Sequence, residues 1–211
     1  MDEFWESSFK DKQEMWGMTP TETAYRALNL FEKKGVKNIL IPGFGYGRNA
    51  VPFLNRGIEV TGIEISQTAI HLAQERLGDR ARVHHGSVNS MPFDEELYDG
   101  IFCYALLHLL SKSERLKFIE SCYKQLNANG YMVFVTLSKK DGRYNVGDEI
   151  ARDTFKSKHG VELFFYDLNS IYADFGQYGL VDAKEVFEPE INLNGKPSQC
   201  FWFLFCKKGC L

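Results

Sequence analysis

Short apolar runs alternate with longer amphipathic stretches along most of this 211-residue chain. That alternation is typical of βαβ units, in which helices cover the faces of a parallel sheet. Expected strands occupy residues 38–41, 58–63, 82–85, 100–104 and 131–137. Expected helices occupy residues 21–34, 48–55, 67–77, 112–126 and 168–178, with Thr19, Ser66 and Ser111 as candidate N-terminal caps. The pattern and the length together predict one α/β domain.

Two segments depart from plain βα repetition. Two strand-like runs, 182–187 and 199–206, close the chain, and the Asn194-Gly195 pair between them is a hairpin turn signal. A plain dinucleotide-binding fold would continue with βα units instead of ending in an antiparallel pair. The polar stretch from Ser138 to Leu163 is too long for an ordinary connection, and we expect a functional loop or a short insertion there.

The composition argues against several classes of function. Lys and Arg number 25 against 28 Asp and Glu, so the net charge of −3 disfavours nucleic acid as the main partner. No stretch approaches the roughly 20 apolar residues that span a bilayer, and the N-terminus does not resemble a secretory signal. The five cysteines are odd in number and form no C-x-x-C pair, so we expect no metal site, reduced thiols and a cytoplasmic protein.

A glycine-rich loop, Gly43–Gly47, lies where an apolar strand meets a helix. Glycines at such a place let the backbone approach a ligand closely, and the free amides of a following helix favour a negative group. The spacing is G-x-G-x-G, and Arg48 stands where the dinucleotide fingerprint has its third glycine. Taken alone, the loop fits a tight turn as well as a binding site.

Glu64 strengthens the binding-site interpretation. It directly follows an apolar strand and lies about 20 residues beyond the glycine loop. In an open α/β sheet that position is beside the same crevice, where a carboxylate can accept hydrogen bonds from two ribose hydroxyls. The alternative is a solvated surface charge, which is less common directly after a buried strand.

Five segments in order resemble the motifs of class I S-adenosylmethionine-dependent methyltransferases. They are residues 39–47, 60–66, 87–93, 98–109 and 126–131, and the resemblance covers about residues 36–137. Pro42, with Trp16-Gly17 upstream, is similar to the thiopurine, thiol and tellurite-resistance branch. Two positions depart from the family: Ile41 replaces the usual acidic residue before the glycines, and Ser87 replaces the usual Asp. Asn89 or a backbone amide would then contact the adenine.

The resemblance implies a Rossmann-like fold with a seven-stranded, mostly parallel sheet, helices on both faces and a terminal antiparallel strand pair. It implies a single domain over 1–211, with residues 1–35 as an N-terminal helical lid. The polar stretch 138–163 leaves the carboxyl end of the fifth strand, and we expect it to be a mobile cover over the substrate. The implied cofactor is S-adenosylmethionine. The implied cofactor-binding residues are Trp16, Gly43, Phe44, Gly45, Gly47, Arg48, Glu64, Ile65, Ser66, Val88, Asn89 and Tyr104. For Trp16, a hydrophobic anchor is an equally good interpretation.

The expected function is methyl transfer to a small molecule by in-line displacement. The donor methyl is already activated by the sulfonium charge, so the protein mainly positions two reactants and excludes water. Tyr104 should face the donor methyl, and His108 is a candidate base, although a structural histidine fits it better. Two alternatives stay open: a cofactor-binding module without catalysis, and a nicotinamide-dependent oxidoreductase. A nucleic-acid methyltransferase is disfavoured because no Asn/Asp-Pro-Pro-aromatic tetrapeptide follows the fourth strand.

Overall fold

The computed structural model describes residues 2–14, 16–190 and 197–209. Its strands are β1 (Asn38–Pro42), β2 (Glu59–Glu64), β3 (Ala81–His85), β4 (Tyr98–Tyr104), β5 (Leu126–Leu137), β6 (Asp148–Ala151), β7 (Thr154–Lys156), β8 (Glu162–Phe164), β9 (Leu180–Glu188) and β10 (Gln199–Lys207). Its helices are α1 (Asp2–Lys12), α2 (Glu22–Lys34), α3 (Val51–Leu54), α4 (Gln67–Leu77), α5 (Lys112–Lys124) and α6 (Leu168–Phe175). None of these helices is long and apolar enough to cross a membrane.

The main sheet has seven strands in the order β3-β2-β1-β4-β5-β10-β9. The first five strands are mutually parallel, and β10 runs antiparallel to both β5 and β9. This confirms the expected Rossmann-like sheet with a terminal antiparallel pair. The carboxyl ends of β1, β2, β4 and β9 therefore meet at one edge. The expected Asn194-Gly195 turn lies outside the described residues, as does Cys210.

Alternating side chains of the strands pack into two apolar layers. Ile39 and Ile41 of β1 join α2, α3 and α4 on one face, and Leu40 joins α5 and α6 on the other. This two-sided burial explains why the parallel strands are continuous apolar runs in the sequence. The expectation of reduced thiols is consistent with the four cysteines that the structure describes, which are free and buried.

Two of the three expected N-terminal caps are observed, and the third is wrong. The Ser66 and Ser111 side chains accept the Ala69 and Glu114 amides at the starts of α4 and α5, as expected. The expected cap Thr19 is wrong, because α2 is capped by Thr21, whose side chain accepts the Ala24 amide. The Thr21 amide is in turn bound to the Asn49 side chain, so a distant contact decides where this helix begins.

Several element boundaries also differ from expectation. The expected helix over 48–55 is a short 3-10 turn followed by α3, and the last helix ends as α-helix at Phe175. The fifth strand, expected over 131–137, begins earlier: β5 starts at Leu126 and pairs there with Tyr98 of β4. A register shift between Tyr98 and Gly100 accommodates the extra length. Such a bulge depends on the partner strand and leaves no periodic signal in either segment.

The polar stretch after β5 is not a structureless loop. Strands β6, β7 and β8 form a separate three-stranded antiparallel sheet. Phe155 and Leu163 of this sheet are buried against the main core. The Lys139 ammonium lies 2.9 Å from an Asp153 oxygen and 2.7 Å from an Asp167 oxygen, so it ties the small sheet to the domain. Of the two expected alternatives, the stretch is therefore a short insertion and not a loop, and its strands have no clear sequence signal because each is only three or four residues long.

Phe44 packs beneath β2, where Gly62 leaves it room. Its side chain is buried, and a Cβ added at Gly62 would lie 2.4 Å from the Phe44 ring. The glycine at position 62 is therefore required by a close side-chain approach within a regular strand.

We predict that Gly62→Ala lowers the free energy of unfolding by about 1–3 kcal/mol, because the added methyl overpacks the Phe44 ring. Chemical denaturation of the two proteins measures the difference. Gly142→Ala is the matched control, since no atom lies within 4 Å of the Cβ it would add. Equal stability of Gly62→Ala and wild type would show that Phe44 can move aside at no cost.

Candidate active site

The glycine loop bends sharply back onto the end of β2. Gly43, Gly45 and Gly47 all have left-handed backbone conformations, with φ of 71°, 57° and 78°. The amides of Gly43 and Phe44 both donate to the Ile63 carbonyl, at 2.9 and 3.0 Å. Side chains other than glycine resist this conformation, so the repeated glycines give the loop its shape.

Glu64 lies at the end of β2, facing the glycine loop. It is only 6% exposed. Its carboxylate accepts the Gly45 amide at 2.7 Å, the Ile65 amide at 2.8 Å and the Ser66 amide at 2.9 Å. Burial raises the pKa of Glu64, and the three amides oppose that shift. A carboxylate offers about four acceptor positions, so three of them are already used by the backbone.

The residues expected around an adenine lie after β2 and β3. Ile65 is half-buried and Val88 is buried. The Asn89 side chain donates to Glu114 at 2.7 Å, which leaves its Oδ1 atom buried with no hydrogen-bond partner among the described residues. An unfilled buried acceptor of this kind fits the exocyclic amine of an adenine. Ser87, which replaces the expected Asp, accepts the Asn89 amide and begins a 3-10 turn.

The N-terminal segment lies against the glycine loop. The Trp16 ring is 49% exposed and stacks on Tyr46 at a centroid distance of 6.3 Å, and Phe9 packs against both rings. The Tyr46 hydroxyl donates to the Gly17 carbonyl at 2.8 Å, and Arg48 donates to the Trp16 carbonyl at 2.7 Å. Helix α2, by contrast, packs one face into the main core, with Ala24, Leu28 and Phe31 buried there. The part of residues 1–35 placed to act as a lid thus precedes Thr21.

Helix α1 is fastened to the start of α4 by Glu6. Its carboxylate accepts the Ser66 hydroxyl at 2.7 Å, the Thr68 hydroxyl at 2.7 Å and the Thr68 amide at 3.2 Å. The hydrogen bonds from Ser66 and Thr68 lower the pKa of Glu6 to about 2. Ser66 is therefore engaged both in capping α4 and in holding α1.

Tyr104 ends β4, on the other side of the glycine loop from Glu64. Burial raises its pKa well above the usual value, and Glu188 raises it further, against the opposing charges of Arg48 and Arg143. The Arg48 guanidinium lies 5.9 Å from the centre of the Tyr104 ring, and the Phe201 ring lies 5.7 Å from it. The expected position of Tyr104 at a strand end is thus observed.

His108 is buried in a 3-10 turn and touches the Thr136 hydroxyl at 3.5 Å. Burial, followed by the charge of Arg143, lowers the pKa of His108 to about 3. Its imidazole is neutral and weakly basic near pH 7, far from the pKa that suits a general base at that pH. The geometry therefore favours a structural histidine.

Two buried carboxylates at this edge were missed by the sequence analysis. Glu188 ends β9 and accepts the Thr23 amide at 2.9 Å, and Asp141 accepts the Cys200 amide at 2.8 Å. Asp141 also forms a two-point ion pair with Arg143. Asp141 lies in a polar stretch with no local signal, whereas Glu188 directly follows the strand-like run 182–187, a position that could have singled it out. In the part of the chain that the structure describes, no group of three or more His, Cys, Asp or Glu could hold a metal ion.

Comparisons with known proteins agree with this geometry. Residues 39–130 match the family described as "Methyltransferase domain". An uncharacterized methyltransferase of Geobacillus thermodenitrificans is 30% identical over 116 residues, which are 55% of this chain and 54% of that protein. The chain spans about half the length of the curated relatives it matches.

Solved structures extend the likeness to nearly the whole chain. The 1,6-didemethyltoxoflavin-N1-methyltransferase of Burkholderia thailandensis, solved with S-adenosylhomocysteine bound, has a TM-score of 0.74 at 17% identity and covers 99% of this chain and 87% of its own. The CcbJ methyltransferase of Streptomyces caelestis has a TM-score of 0.74 at 16% identity and covers 99% of this chain and 100% of its own. Over residues 39–130 this chain is therefore similar to methyltransferase domains. At these identities the structural neighbours establish the fold of the domain.

We predict that Glu6→Gln loosens α1 and raises the hydrogen-exchange rate of residues 2–12, because an amide holds the Ser66 and Thr68 donors more weakly. The lowered pKa gives the same contact a pH dependence. Its stabilisation is present above about pH 4.5 and is lost as the pH falls towards 2. Glu3→Gln, on an exposed position of the same helix, is the control. Unchanged hydrogen exchange in Glu6→Gln would show that the aromatic contacts hold α1 in place without the Glu6 hydrogen bonds.

Proposed function

We propose that this protein is an S-adenosylmethionine-dependent methyltransferase that acts on a small molecule by direct in-line methyl transfer. The observation that carries the proposal is the hydrogen bond from the Gly45 amide to Glu64. A loop amide that a dinucleotide-binding fold would offer to a phosphate is here bound to a carboxylate, which disfavours the nicotinamide alternative. A cofactor that presents ribose hydroxyls and a cationic amino-acid tail suits this arrangement better.

The cofactor would lie across the carboxyl ends of β2, β1 and β4. Glu64 would hold the ribose, giving up one backbone amide where both hydroxyls bind, and Asn89 would accept the adenine amine beside Ile65 and Val88. The left-handed glycines would bring the backbone of the loop against the amino-acid tail. Phe44 contributes through its backbone, since its side chain lies in the core.

When bound, the cofactor supplies a methyl group on a positively charged sulfur. The chain's own residues orient the acceptor against it and exclude water. Tyr104 lies at the end of β4, where the donor methyl would face, and Trp16 and Arg48 would close the site above the loop. His108 is not assigned the role of proton acceptor, because its low pKa makes it a weak base.

The acceptor would bind between Tyr104 and the insertion that follows β5. The neighbour from Burkholderia thailandensis acts on 1,6-didemethyltoxoflavin, a compact molecule, which supports a small acceptor here. The net charge of −3 gives no support for a nucleic-acid substrate. We also infer a cytoplasmic location, since free thiols persist in a reducing compartment.

Calorimetric titration tests the function. We expect S-adenosylmethionine and S-adenosylhomocysteine to bind and NADH not to bind. Binding of NADH alone would reject the proposal, and tight cofactor binding without turnover on a broad acceptor panel would favour the non-catalytic binding module.

We predict that Glu64→Ala weakens S-adenosylhomocysteine binding about tenfold or more, because charged hydrogen bonds of about 1.5–3 kcal/mol each are lost. Glu59→Gln is the control, since Glu59 is exposed at the opposite end of the same strand. Circular dichroism monitors the fold of both variants. Unchanged affinity in a folded Glu64→Ala protein would remove Glu64 from the site.

We predict that the insertion is held over the acceptor mainly by Lys139. Lys139→Met leaves Asp153 and Asp167 without their shared cation, so residues 148–164 should exchange hydrogen faster. Lys158→Met removes an exposed charge from the same insertion and is the control. Identical exchange in Lys139→Met and wild type would show that the Tyr144, Phe155 and Phe165 rings suffice.

A further inference from the structure

Glu188 is a buried carboxylate with no role in the function proposed so far. It is 8% exposed and lies at the end of β9. Its oxygens accept the Thr23 amide at 2.9 Å and the Thr23 hydroxyl at 3.2 Å. Over residues 2–14, 16–190 and 197–209, no lysine, arginine or histidine forms an ion pair with it. A carboxylate buried without a cation is costly, which raises the question of what offsets its charge.

The contacts of Thr23 explain how the carboxylate is held. Thr23 lies in the first turn of α2, where free amides and the helix dipole favour a negative group. The contact joins residues 165 positions apart, so it fixes the end of β9 against the start of α2. This holds Glu188 in one position but adds no positive side chain.

Glu188 also faces Tyr104 at the same edge of the sheet. Val186 pairs with Phe201 of β10, whose ring packs on Tyr104, and Glu188 follows two residues later. After burial, Glu188 is the main cause that raises the pKa of the Tyr104 hydroxyl, whereas the charges of Arg48 and Arg143 lower it. The Glu188 carboxylate therefore acts directly on the Tyr104 hydroxyl at this edge.

The position matters because of where the sulfur of the cofactor would lie, and this step rests on the proposed function. Strand β1 lies between β2 and β4 in the sheet. A cofactor whose ribose is at Glu64 and whose tail is at the glycine loop presents its sulfur towards the end of β4. That end carries Tyr104, with Glu188 beyond it.

We propose that Glu188 makes the site select the positively charged S-adenosylmethionine over the neutral S-adenosylhomocysteine. In the reaction the acceptor's electron pair forms the new bond to the methyl carbon. The electron pair of the broken carbon–sulfur bond stays on sulfur, which becomes a neutral thioether. The attraction to Glu188 is lost in the same event, so the spent cofactor is released more readily than the methyl donor.

The test measures affinities rather than turnover. Calorimetry gives the dissociation constants of S-adenosylmethionine, S-adenosylhomocysteine and sinefungin, in which an amine-bearing carbon replaces the methylated sulfur. In wild type, both cationic ligands should bind more tightly than S-adenosylhomocysteine. In Glu188→Gln, which keeps the shape and an oxygen for the Thr23 amide, the affinity for the two cationic ligands should fall about tenfold, or about 1.4 kcal/mol. The affinity for S-adenosylhomocysteine should change less than about twofold, well below the tenfold fall expected for the cationic ligands.

Two controls separate charge from structure. Glu190→Gln removes an exposed charge two residues away and should leave all three affinities unchanged. Glu188→Asp keeps the charge and should restore part of the preference. A merely structural Glu188 would change the affinities for all three ligands together. An equal loss for all three ligands, or an unchanged preference in Glu188→Gln, overturns the inference while leaving the proposed function standing.

The wild-type affinities test the inference about Glu188 even if the Glu188→Gln protein does not fold. A wild-type protein that binds S-adenosylhomocysteine as tightly as the cationic ligands contradicts the role of Glu188 directly. A wild-type protein that binds none of the three ligands rejects the proposed function itself, and the inference with it.

Discussion

The hydrogen bond between the Gly45 amide and the Glu64 carboxylate is the contact on which the rest of the site depends. It joins the loop after β1 to the end of β2, and the left-handed glycines make the approach possible. The loop then presents Tyr46 and Arg48 to the N-terminal segment, which they hold at Gly17 and Trp16. The position of Trp16 and Gly17 against the loop is thus a consequence of the bend in the glycine loop, whereas Glu6 fastens α1 to the start of α4.

The parallel core of the fold could be predicted from the sequence because it is encoded locally. Apolar runs bounded by turn residues mark strands that are buried on both faces, and the order of the motifs gives the order of the units. Local encoding fails where the structure depends on a partner. The start of β5 at Leu126 needs its register with Tyr98, and the cap at Thr21 needs the side chain of Asn49.

The residues of the candidate site also divide into those that local sequence predicts and those that depend on a distant contact. Gly43, Gly45, Gly47 and Glu64 were predicted because their spacing along two consecutive βα units brings them together by topology. Glu6 and Glu188 were not predicted, because each becomes part of the site only through a contact with a distant helix start. Glu6 has no sequence signal that separates it from a solvated surface charge, and the strand before Glu188, although it gives that residue a position, is too polar to mark its end as buried.

Three buried carboxylates lie at the carboxyl edge of the sheet, and they differ in which groups balance their negative charge. Asp141 has a guanidinium partner in Arg143, so that pair is neutral as a whole. Glu64 and Glu188 are held by backbone amides and the Thr23 hydroxyl, which satisfy their hydrogen bonds but bring no full positive charge. Hydrogen bonds of this kind keep a carboxylate in place and leave its field in the crevice. An anionic pyrophosphate would be repelled by that field, whereas a ligand with hydroxyls, an ammonium and a sulfonium would be attracted to it. The charge pattern of the edge thus favours the same class of cofactor as the glycine loop, from residues that the motifs do not include.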